Sequence, residues 1–453
     1  MLSRREFMRL AALAGAGAAL GGTACSSEGT KAKTAASSGA GNGKALRIAQ
    51  WGHFVPAYDE WFDDDFARRW GEDHDISVEV DHIPFADIPA RGDAEAEAGF
   101  GHDIFGFVDP PPGIEDKVID HRGIVEEVEA KIGPMTPLVE RSIHNPKTNK
   151  YFGFADSWVA NVSHYRSDLW DQVEPGLRPT TWEDVRRAGP GLEALGFPLG
   201  IGYSEDADSS YTLLGLMHAF GASVQDEEAQ VVIDRPATVE AVKFGAELFR
   251  SGVTDEVFVW DAYSNNRYLT TGRGSMVVNA ISAIRAAEKE NAELARSIQL
   301  SPVPSGPTGP DQPLGVYVTH VYAIWNFSTQ QELAQQFLVD LSLGYREAFV
   351  RSEFYNLPAF PGSVPDLAQL VTKDEHSVPD DKYAFLADAT KWSTNIGSPG
   401  PSNAAIIEVF NQDVITAMFA AAARGEMTPE EAVAAAEARV TPIYDKWRER
   451  GKI

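Results

Sequence analysis

The stretch from Tyr151 to Asp184 limits the possible folds of this chain more than any other. It opens with an apolar and aromatic run, Tyr151 to Tyr165, that has the composition of a long buried strand. A short helix opened by Ser167 or Asp168 follows, and Thr181 with Asp184 then forms the capping box of another helix. A chain needs this order of elements where it leaves one compact unit and begins the next. The stretch therefore predicts two lobes.

Length and composition also favour two lobes, because 453 residues with 43% hydrophobic side chains exceed what a single core usually fills. Cys25 is the only cysteine, so the folded part is expected to hold no disulfide, no thiol nucleophile and no thiolate metal site. The formal net charge of −27 argues against nucleic acid as a partner, since binding nucleic acid needs a basic surface. Such a charge most often serves solubility, and selection of a charged ligand stays open.

The N-terminus has the pattern of an export signal. Ser3 to Met8 is a twin-arginine signature, and Ala11 to Leu20 is an apolar run of the length of a signal core. Leu20 to Cys25 matches a bacterial lipobox, with Gly22 where Leu is usual. Residues 1–25 are therefore predicted to be a Tat lipoprotein signal that leaves a lipid on Cys25. The alternative is ordinary secretion, in which Cys25 is discarded.

Residues 26–44 are mainly Ser, Ala, Gly, Thr and Lys and include no large apolar side chain. A segment of this composition buries too little surface to order itself, so it is predicted to be a flexible tether. Signal and tether together predict a lipid-anchored protein at the extracellular or periplasmic face of the cell membrane.

Strand and helix patterns alternate from Ala45 onwards. Strands are predicted at Ala45–Trp51, Ile76–Val80 and Gly101–Asp109, with amphipathic helices between them. This alternation predicts a parallel α/β sheet. Ligands of such sheets bind beyond the carboxyl ends of the strands, which here are Trp51 to His53 and Val108 to Asp109.

The chain resembles the extracellular solute-binding proteins of ABC importers, in the carbohydrate-binding group typified by maltose-binding protein. Phe152–Leu169 and Pro179–Val185 carry the resemblance, although the family's usual Pro after the Gly is absent and Arg166 replaces its Asn. Tyr268–Asn279, the Pro- and Gly-rich loop Pro302–Pro313 and the ending that starts at Thr428 add weaker matches. The resemblance covers most of the chain from Ala45 to Trp447.

The resemblance implies an α/β, two-lobed periplasmic-binding fold of the class II type. Each lobe would hold a mostly parallel sheet flanked by helices, with a cleft between the lobes. Lobe 1 would take residues 45–154 plus 274–318, and lobe 2 residues 155–273 plus 319–453. The first hinge would lie in the stretch from Tyr151 to Asp184.

The resemblance also implies a function without turnover. A monomeric receptor would capture a carbohydrate outside the membrane by hinge closure. It would then deliver that carbohydrate to two permease subunits and their ATPase.

A sugar presents hydroxyls around its edge and C–H groups on its faces, so its site needs flat rings together with donors and acceptors. The candidate rings are Trp51, Trp158, Tyr211, Trp260 and Trp392. The candidate polar contacts are His53, Asp109, Asn279 and Asn403. Each also has a structural alternative: the tryptophans beside strands as core residues, and His53 and Asp109 as turn residues.

Metal and catalytic motifs are absent or weak in the sequence. The histidines form no His-x-His or His-Glu-x-x-His pattern, and no Gly-x-Ser-x-Gly elbow occurs. No cofactor or metal is therefore predicted, and no catalytic residue. Two alternatives to a sugar receptor stay open: the same fold binding a cationic non-sugar such as a polyamine, and a secreted glycosidase using a pair of acidic residues.

Overall fold

A computed structural model of the chain describes residues 45–309 and 314–453. The predicted signal with Cys25, the predicted tether and residues 310–313 of the Pro- and Gly-rich loop lie outside the described residues. In chain order the strands are β1 (Ala45–Trp51), β2 (Ser77–Ile83), β3 (Ile104–Phe107), β4 (His144–Asn145), β5 (Lys150–Tyr151), β6 (Phe154–Val159), β7 (Val162–Arg166), β8 (Met276–Asn279), β9 (Ile298–Pro302), β10 (Gly315–Val316), β11 (Val318–Ile324), β12 (Leu357–Pro358) and β13 (Ser393–Thr394).

Helices cover much of the remaining described chain. The α-helices are α1 (Pro56–Trp61), α2 (Arg68–Asp73), α3 (Ile88–Ala98), α4 (Arg122–Ile132), α5 (Pro137–Ile143), α6 (Ser167–Val173), α7 (Trp182–Ala194), α8 (Ala207–Ala219), α9 (Pro236–Arg250), α10 (Ser264–Thr270), α11 (Ser282–Glu290), α12 (Ala292–Ser297), α13 (Gln331–Leu343), α14 (Tyr345–Arg351), α15 (Leu367–Leu370), α16 (Ala389–Trp392), α17 (Ala404–Asn411), α18 (Val414–Ala423) and α19 (Pro429–Glu449). A π-helix, Phe62–Ala67, joins α1 to α2, and short 3₁₀ turns connect several other elements.

The lobe 1 sheet has the strand order β2, β1, β3, β11, β6, β12. β1 pairs in parallel with both β2 and β3, as the alternation of strands and helices predicts, whereas β11 is antiparallel to β3 and β6. Central β3 is buried along its whole length, and edge strand β2 alternates between exposed and partly buried positions. This difference follows from sheet position, because a central strand is covered on both faces.

The lobe 2 sheet has β7 at its centre, antiparallel to β8 on one side and to β9 on the other. Isolated parallel bridges at Leu199 and Gly200 extend it. One buried cluster fills lobe 1 and extends to lobe 2 residues that include Val162, Val277 and Ile298, and a second cluster fills the rest of lobe 2. The expected α/β fold with two lobes is confirmed, but the sheets are mixed rather than mostly parallel.

The arrangement differs from the expected lobe boundaries. Lobe 1 continues to Val159 rather than ending at residue 154. β8, expected to return to lobe 1, pairs with β7 in lobe 2, whereas β11, expected to lead back to lobe 2, lies between β3 and β6 in lobe 1. The reason is that apolar composition predicts burial of a strand but carries no information about its partner strands.

Three segments of the described chain connect the lobes and lie side by side. Ala160 and Asn161 join β6 to β7, β10 lies just before β11, and β13 precedes the passage to α17. β10 and β13 pair in parallel, with Gly315 opposite Ser393. A Cβ at Gly315 would lie 3.4 Å from the Asn161 carbonyl oxygen, so this glycine allows the backbones to approach closely. Such a group of short extended connections is suited to a hinge.

Local sequence signals are confirmed at several helix ends and wrong at one. Thr181 forms the predicted capping box with Asp184, and the Thr428, Pro429 and Glu431 pattern, which predicts another, forms one as well. The apolar stretch from Ala404 to Arg424 predicts one long helix, but it divides into α17 and α18, because Asp413 adopts a left-handed backbone conformation with φ of 53°. This conformation cannot continue a right-handed helix.

Within the described residues no single helix is long and apolar enough to cross a membrane. One bent pair, α17 with α18, meets the criteria of length and composition. No group of three or more His, Cys, Asp or Glu side chains in the same part of the chain is arranged to hold a metal ion.

Candidate functional site

An aromatic compartment lies between the two lobes, close to the connecting segments. Lobe 1 contributes Trp51, Phe54, Phe85, His320 and Tyr355, lobe 2 contributes Asp208, Tyr211, Asn266, Asn279 and Ser282, and Asn161 comes from the first connection. The cavity volume is about 20 Å³, which leaves room for about one water molecule and is far below the volume of a small-molecule site. A ligand of any size therefore enters this compartment only if the lobes separate.

Trp51 is the centre of the ring cluster on the lobe 1 side. It is the last residue of β1, at the carboxyl end of the strand, where its ring stacks on His53 at 4.8 Å and contacts His320 at 5.1 Å and Phe54 at 5.2 Å between centroids. Phe54 in turn contacts Tyr263 of lobe 2 at 5.5 Å. These rings present apolar surface of the kind on which the C–H face of a sugar packs.

A hydrogen bond crosses the cleft between two of the predicted residues. The Tyr211 hydroxyl, on α8 of lobe 2, donates to Oδ1 of Asp109, which follows β3 of lobe 1, at 2.5 Å. Burial raises the pKa of Asp109 to about 6, although the hydrogen bond from Tyr211 opposes that rise. A partly buried carboxylate with spare acceptor positions is a suitable partner for ligand hydroxyls.

A chain of amides supports a second carboxylate in the cleft. Asn279 donates from Nδ2 to the side-chain oxygens of Asn265 at 3.0 Å and Asn266 at 2.5 Å, and Asn265 donates to Oδ2 of Asp208 at 2.7 Å. Burial raises the pKa of Asp208, and the nearby Asp206 raises it further. Among the described residues no other side chain donates a hydrogen bond to the Asp208 carboxylate, so acceptor capacity remains for a ligand.

A wider compartment of about 420 Å³ continues the cleft on the other side of the bond between Tyr211 and Asp109. Its walls are the chain around Phe107 to Ile114 with part of α3 from lobe 1, and parts of α17 and α19 from lobe 2. Here Glu408 pairs with Lys446 and accepts a hydrogen bond from Nε1 of Trp447 at 2.6 Å. This volume lies within the range of small-molecule sites.

The structure brings together four of the nine predicted ligand contacts. Trp51, Tyr211 and Asn279 line the aromatic compartment, and Asp109 lines the wider one. His53 lies behind Trp51, where its Nε2 is hydrogen-bonded to Asn356 at 3.1 Å.

The other four lie away from the cleft. Trp158 is buried in lobe 1 against Tyr317, Trp260 packs on Tyr268, and Trp392 stacks on Phe385 beside the connecting segments. Asn403 caps α17 and donates to Gln225. The alternation of β6 turns Trp158 into the protein, and Asn403 is held by its capping of α17. Trp260 and Trp392 are partly buried and pack on neighbouring rings instead.

Several lining residues had not been predicted from the sequence. Asp208 and Ser282 each lie in the first turn of a helix, a position that a search for polar groups at helix starts in lobe 2 would have found. His320 lies on β11 and Tyr355 in a loop before β12. No local pattern marks these two, because they reach the cleft only through pairings between strands distant in sequence.

Asn403→Ala is expected to lower the free energy of unfolding by about 1 to 2 kcal/mol. The reason is that its Oδ1 caps the backbone amides of Ala405 and Ile406, both at 3.0 Å. Since Asn403 lies away from the cleft, ligand affinity should not change. Urea unfolding and calorimetric titration measure the two quantities, and weakened binding by a stably folded variant would contradict this placement.

Comparison with families of known proteins gives one match. The family model described as bacterial extracellular solute-binding protein matches residues 52–341. This range includes both sheets except for β1 and β12, and it includes the residues that line the aromatic compartment except for Trp51 and Tyr355. No curated protein sequence matches the chain.

Solved structures share the architecture at low identity. Maltose-bound MalE3 of T. maritima is 19% identical with a TM-score of 0.72, and the match covers 88% of this chain and 99% of that one. A sugar transporter protein of Arthrobacter chlorophenolicus with bound laminaribiose is 14% identical with a TM-score of 0.74, covering 88% and 99%. An ABC transporter solute-binding protein of Agrobacterium radiobacter in complex with ribitol is 16% identical with a TM-score of 0.70, covering 88% and 98%. At such identities the likeness shows the fold alone.

Proposed function

We propose, from the premise that this chain belongs to the bacterial extracellular solute-binding proteins, that it captures a carbohydrate between its two lobes and delivers it to the permease of an ABC importer. The observation that carries the proposal is the aromatic compartment, in which the Trp51 ring on one lobe faces the polar side chains of Tyr211 and Asn279 on the other. Solved proteins of the same fold bind maltose, laminaribiose and ribitol, which supports a sugar or polyol here.

Binding in this proposal is a change of conformation rather than a reaction. The lobes separate about the three connecting segments, a ligand enters, and closure surrounds it with the rings and amides of both lobes. Trp51, Asp109, Tyr211 and Asn279 are the proposed contacts, together with Asp208, Asn266, His320 and Tyr355. No catalytic role is assigned to any of them.

The location and partners belong to the same proposal. The twin-arginine signature and the lipobox at Cys25 support Tat export and a lipid anchor outside the cell membrane. A monomeric receptor on a tether of residues 26–44 would reach the permease by diffusion over a short range.

A thermal-shift screen tests the proposal directly. The purified protein is heated with maltose, laminaribiose, ribitol and a panel of other sugars and polyols, and binding to the folded state raises the melting temperature. We expect at least one carbohydrate to stabilise the protein without being converted, as chromatography of the recovered ligand would show. Conversion of the ligand would instead identify a glycosidase, and the absence of any carbohydrate effect would contradict the proposal.

A cationic ligand is a second candidate, and the charge of the compartment favours it. Asp208 lies in the wall, and none of the described lining residues is Lys or Arg. An amine enclosed by rings and a carboxylate would gain both ion pairing and cation–π attraction. Putrescine and spermidine therefore belong in the screen, with Asp208→Asn as the comparison. Stabilisation by spermidine that is lost in this variant would favour the amine over the sugar.

A further inference from the structure

A second contact between the lobes lies beside the aromatic compartment and involves α11. This helix follows β8 directly, so its backbone is attached to the lobe 2 sheet. Its apolar residues Ala283, Ile284 and Ala287 belong to a buried cluster that joins the lobe 1 core to lobe 2 residues such as Val277 and Ile298. The facing segment runs from α14 to residue 383, and β12 within it pairs with β6 of lobe 1. α11 is therefore attached to lobe 2 along the chain, and its apolar side chains lie where the two lobes meet.

Arg285 is the central side chain of this contact, and 4% of it is exposed. Its guanidinium lies 3.9 Å from the ring centroid of Tyr383 and 5.3 Å from that of Phe354. It forms an ion pair with Asp374, and its Nε donates to the backbone oxygen of Glu353 at 3.0 Å. All four partners belong to the lobe 1 segment, so a single lobe 2 side chain is fixed by four lobe 1 residues.

Further polar contacts surround Arg285. Glu288, one turn along α11, is 3.0 Å from the guanidinium and accepts a hydrogen bond from the Tyr383 hydroxyl at 2.9 Å. Lys382 of lobe 1 donates to the backbone oxygen of Ala295 at 2.8 Å. At the edge, Lys289 pairs with the Glu353 carboxylate at 2.6 Å. Three carboxylates thus depend on Arg285 and two lysines for charge balance.

The same two segments also line the aromatic compartment. Ser282, at the start of α11, and Tyr355, two residues after Glu353, both contribute to its wall. Arg285 lies one turn from Ser282. A movement that separates Arg285 from Asp374 must therefore also move the walls of the compartment apart.

We propose that Arg285 and its partners Glu353, Asp374 and Tyr383 form a latch that holds the lobes in the closed arrangement and thereby sets the affinity of the cleft. Opening withdraws the guanidinium from two rings and two acidic residues at once. Without Arg285, the crowded carboxylates of Glu288, Glu353 and Asp374 repel one another across the interface and favour separation. The part of this inference that concerns affinity rests on the proposed function, whereas the part that concerns closure does not.

Small-angle X-ray scattering of the empty protein tests the latch without any ligand. Arg285→Gln is expected to give a larger radius of gyration than the wild type, because more of the molecules are open. The matched control is Arg346→Gln, which breaks the Arg346–Asp366 pair, joined at 2.9 Å, within lobe 1. That variant should keep the radius of the wild type. An unchanged radius in folded Arg285→Gln would overturn the proposal.

A milder variant covers the case in which Arg285→Gln fails to fold. Glu353→Gln removes one partly exposed carboxylate, and it is expected to increase the radius of gyration by a smaller amount.

Calorimetric titration tests the effect of the latch on affinity. With whichever of maltose, laminaribiose, ribitol or spermidine stabilises the wild type, it should show about tenfold weaker binding to Arg285→Gln, because a smaller fraction of the protein is closed. Equal affinity and equal radius in both variants would reject the latch. If the radius changes but none of the four probes binds the wild type, the latch stands and the proposed function fails for them.

Discussion

Asp109→Asn is expected to make the empty protein more stable at neutral pH and at the same time to weaken its ligand binding. Burial raises the pKa of Asp109 from 3.8 to about 6, so its ionised form is less favourable in the folded protein than in the unfolded chain. At 1.36 kcal/mol for each pKa unit, ionised Asp109 costs the folded state about 3 kcal/mol at neutral pH. Asparagine has no such cost and still accepts from Tyr211.

The pH dependence gives this prediction its sign. Between about pH 4 and pH 6 the folded protein holds the Asp109 proton more tightly than the unfolded chain, so this group makes stability fall as pH rises. Below pH 4 both states are protonated and the cost disappears. The stability gained by Asp109→Asn should therefore be near zero at pH 3.5 and reach its full value above pH 6.5. Urea unfolding of both proteins across this range measures it.

Ligand binding should change in the opposite direction. The carboxylate offers more acceptor positions than the amide, so its loss is expected to weaken binding by about 1 to 3 kcal/mol. Asp64→Asn, at an exposed position on the π-helix, is the control and should change neither quantity. Equal stability of wild type and Asp109→Asn at pH 7.5 would show that the ionised carboxylate does not destabilise the fold. Unchanged affinity would show that Asp109 does not contact the ligand. A side chain that lowers the stability of the empty protein and raises its affinity for ligand is typical of a binding site.

Much of the architecture of lobe 1 follows from the sequence, because local signals agree there. Alternating strands and helices predict the parallel β1, β2 and β3, and the end of β1 correctly marks the edge of the sheet that faces the cleft. The capping boxes at Thr181 and Thr428 are equally local. Pairings between strands that are distant in sequence are not local signals. For this reason the sequence assigns β8 and β11 to the wrong lobes. Their apolar patterns are alike, and only the packed structure decides the sheet.

The candidate site residues show the same difference between local and distant signals. Trp51, Asp109 and Asn279 lie at or just after the ends of strands, and Tyr211 lies in the second turn of α8, so position in the chain predicts position in the cleft. Trp260 and Trp392 were chosen for residue type alone, and both lie outside it. His320 and Tyr355 were missed because neither is near a signal that the sequence contains. The position of a residue within a strand or helix thus predicts its place in the cleft better than its residue type does.

Trp51→Ala and Trp158→Ala are expected to separate binding from stability. Both side chains are nearly buried, at 6% and 2% exposure, and both belong to the lobe 1 sheet. Removing either indole leaves a cavity and should lower the free energy of unfolding by about 3 to 5 kcal/mol. Only Trp51 lines the aromatic compartment. Trp158 instead contacts Tyr317 and lines an apolar groove on lobe 1.

Their effects on affinity should therefore differ although their effects on stability are alike. Trp51→Ala removes the main ring on the lobe 1 side and is expected to weaken binding by about 2 to 3 kcal/mol, with no compensating contact from the polar residues of lobe 2. Trp158→Ala should bind as the wild type does, provided that titration is performed well below its lowered melting temperature. Equal losses of affinity would mean that binding follows the general stability of lobe 1. Unchanged binding by Trp51→Ala would place the ligand away from the aromatic compartment, and the wider compartment lined by Asp109 would then be its site.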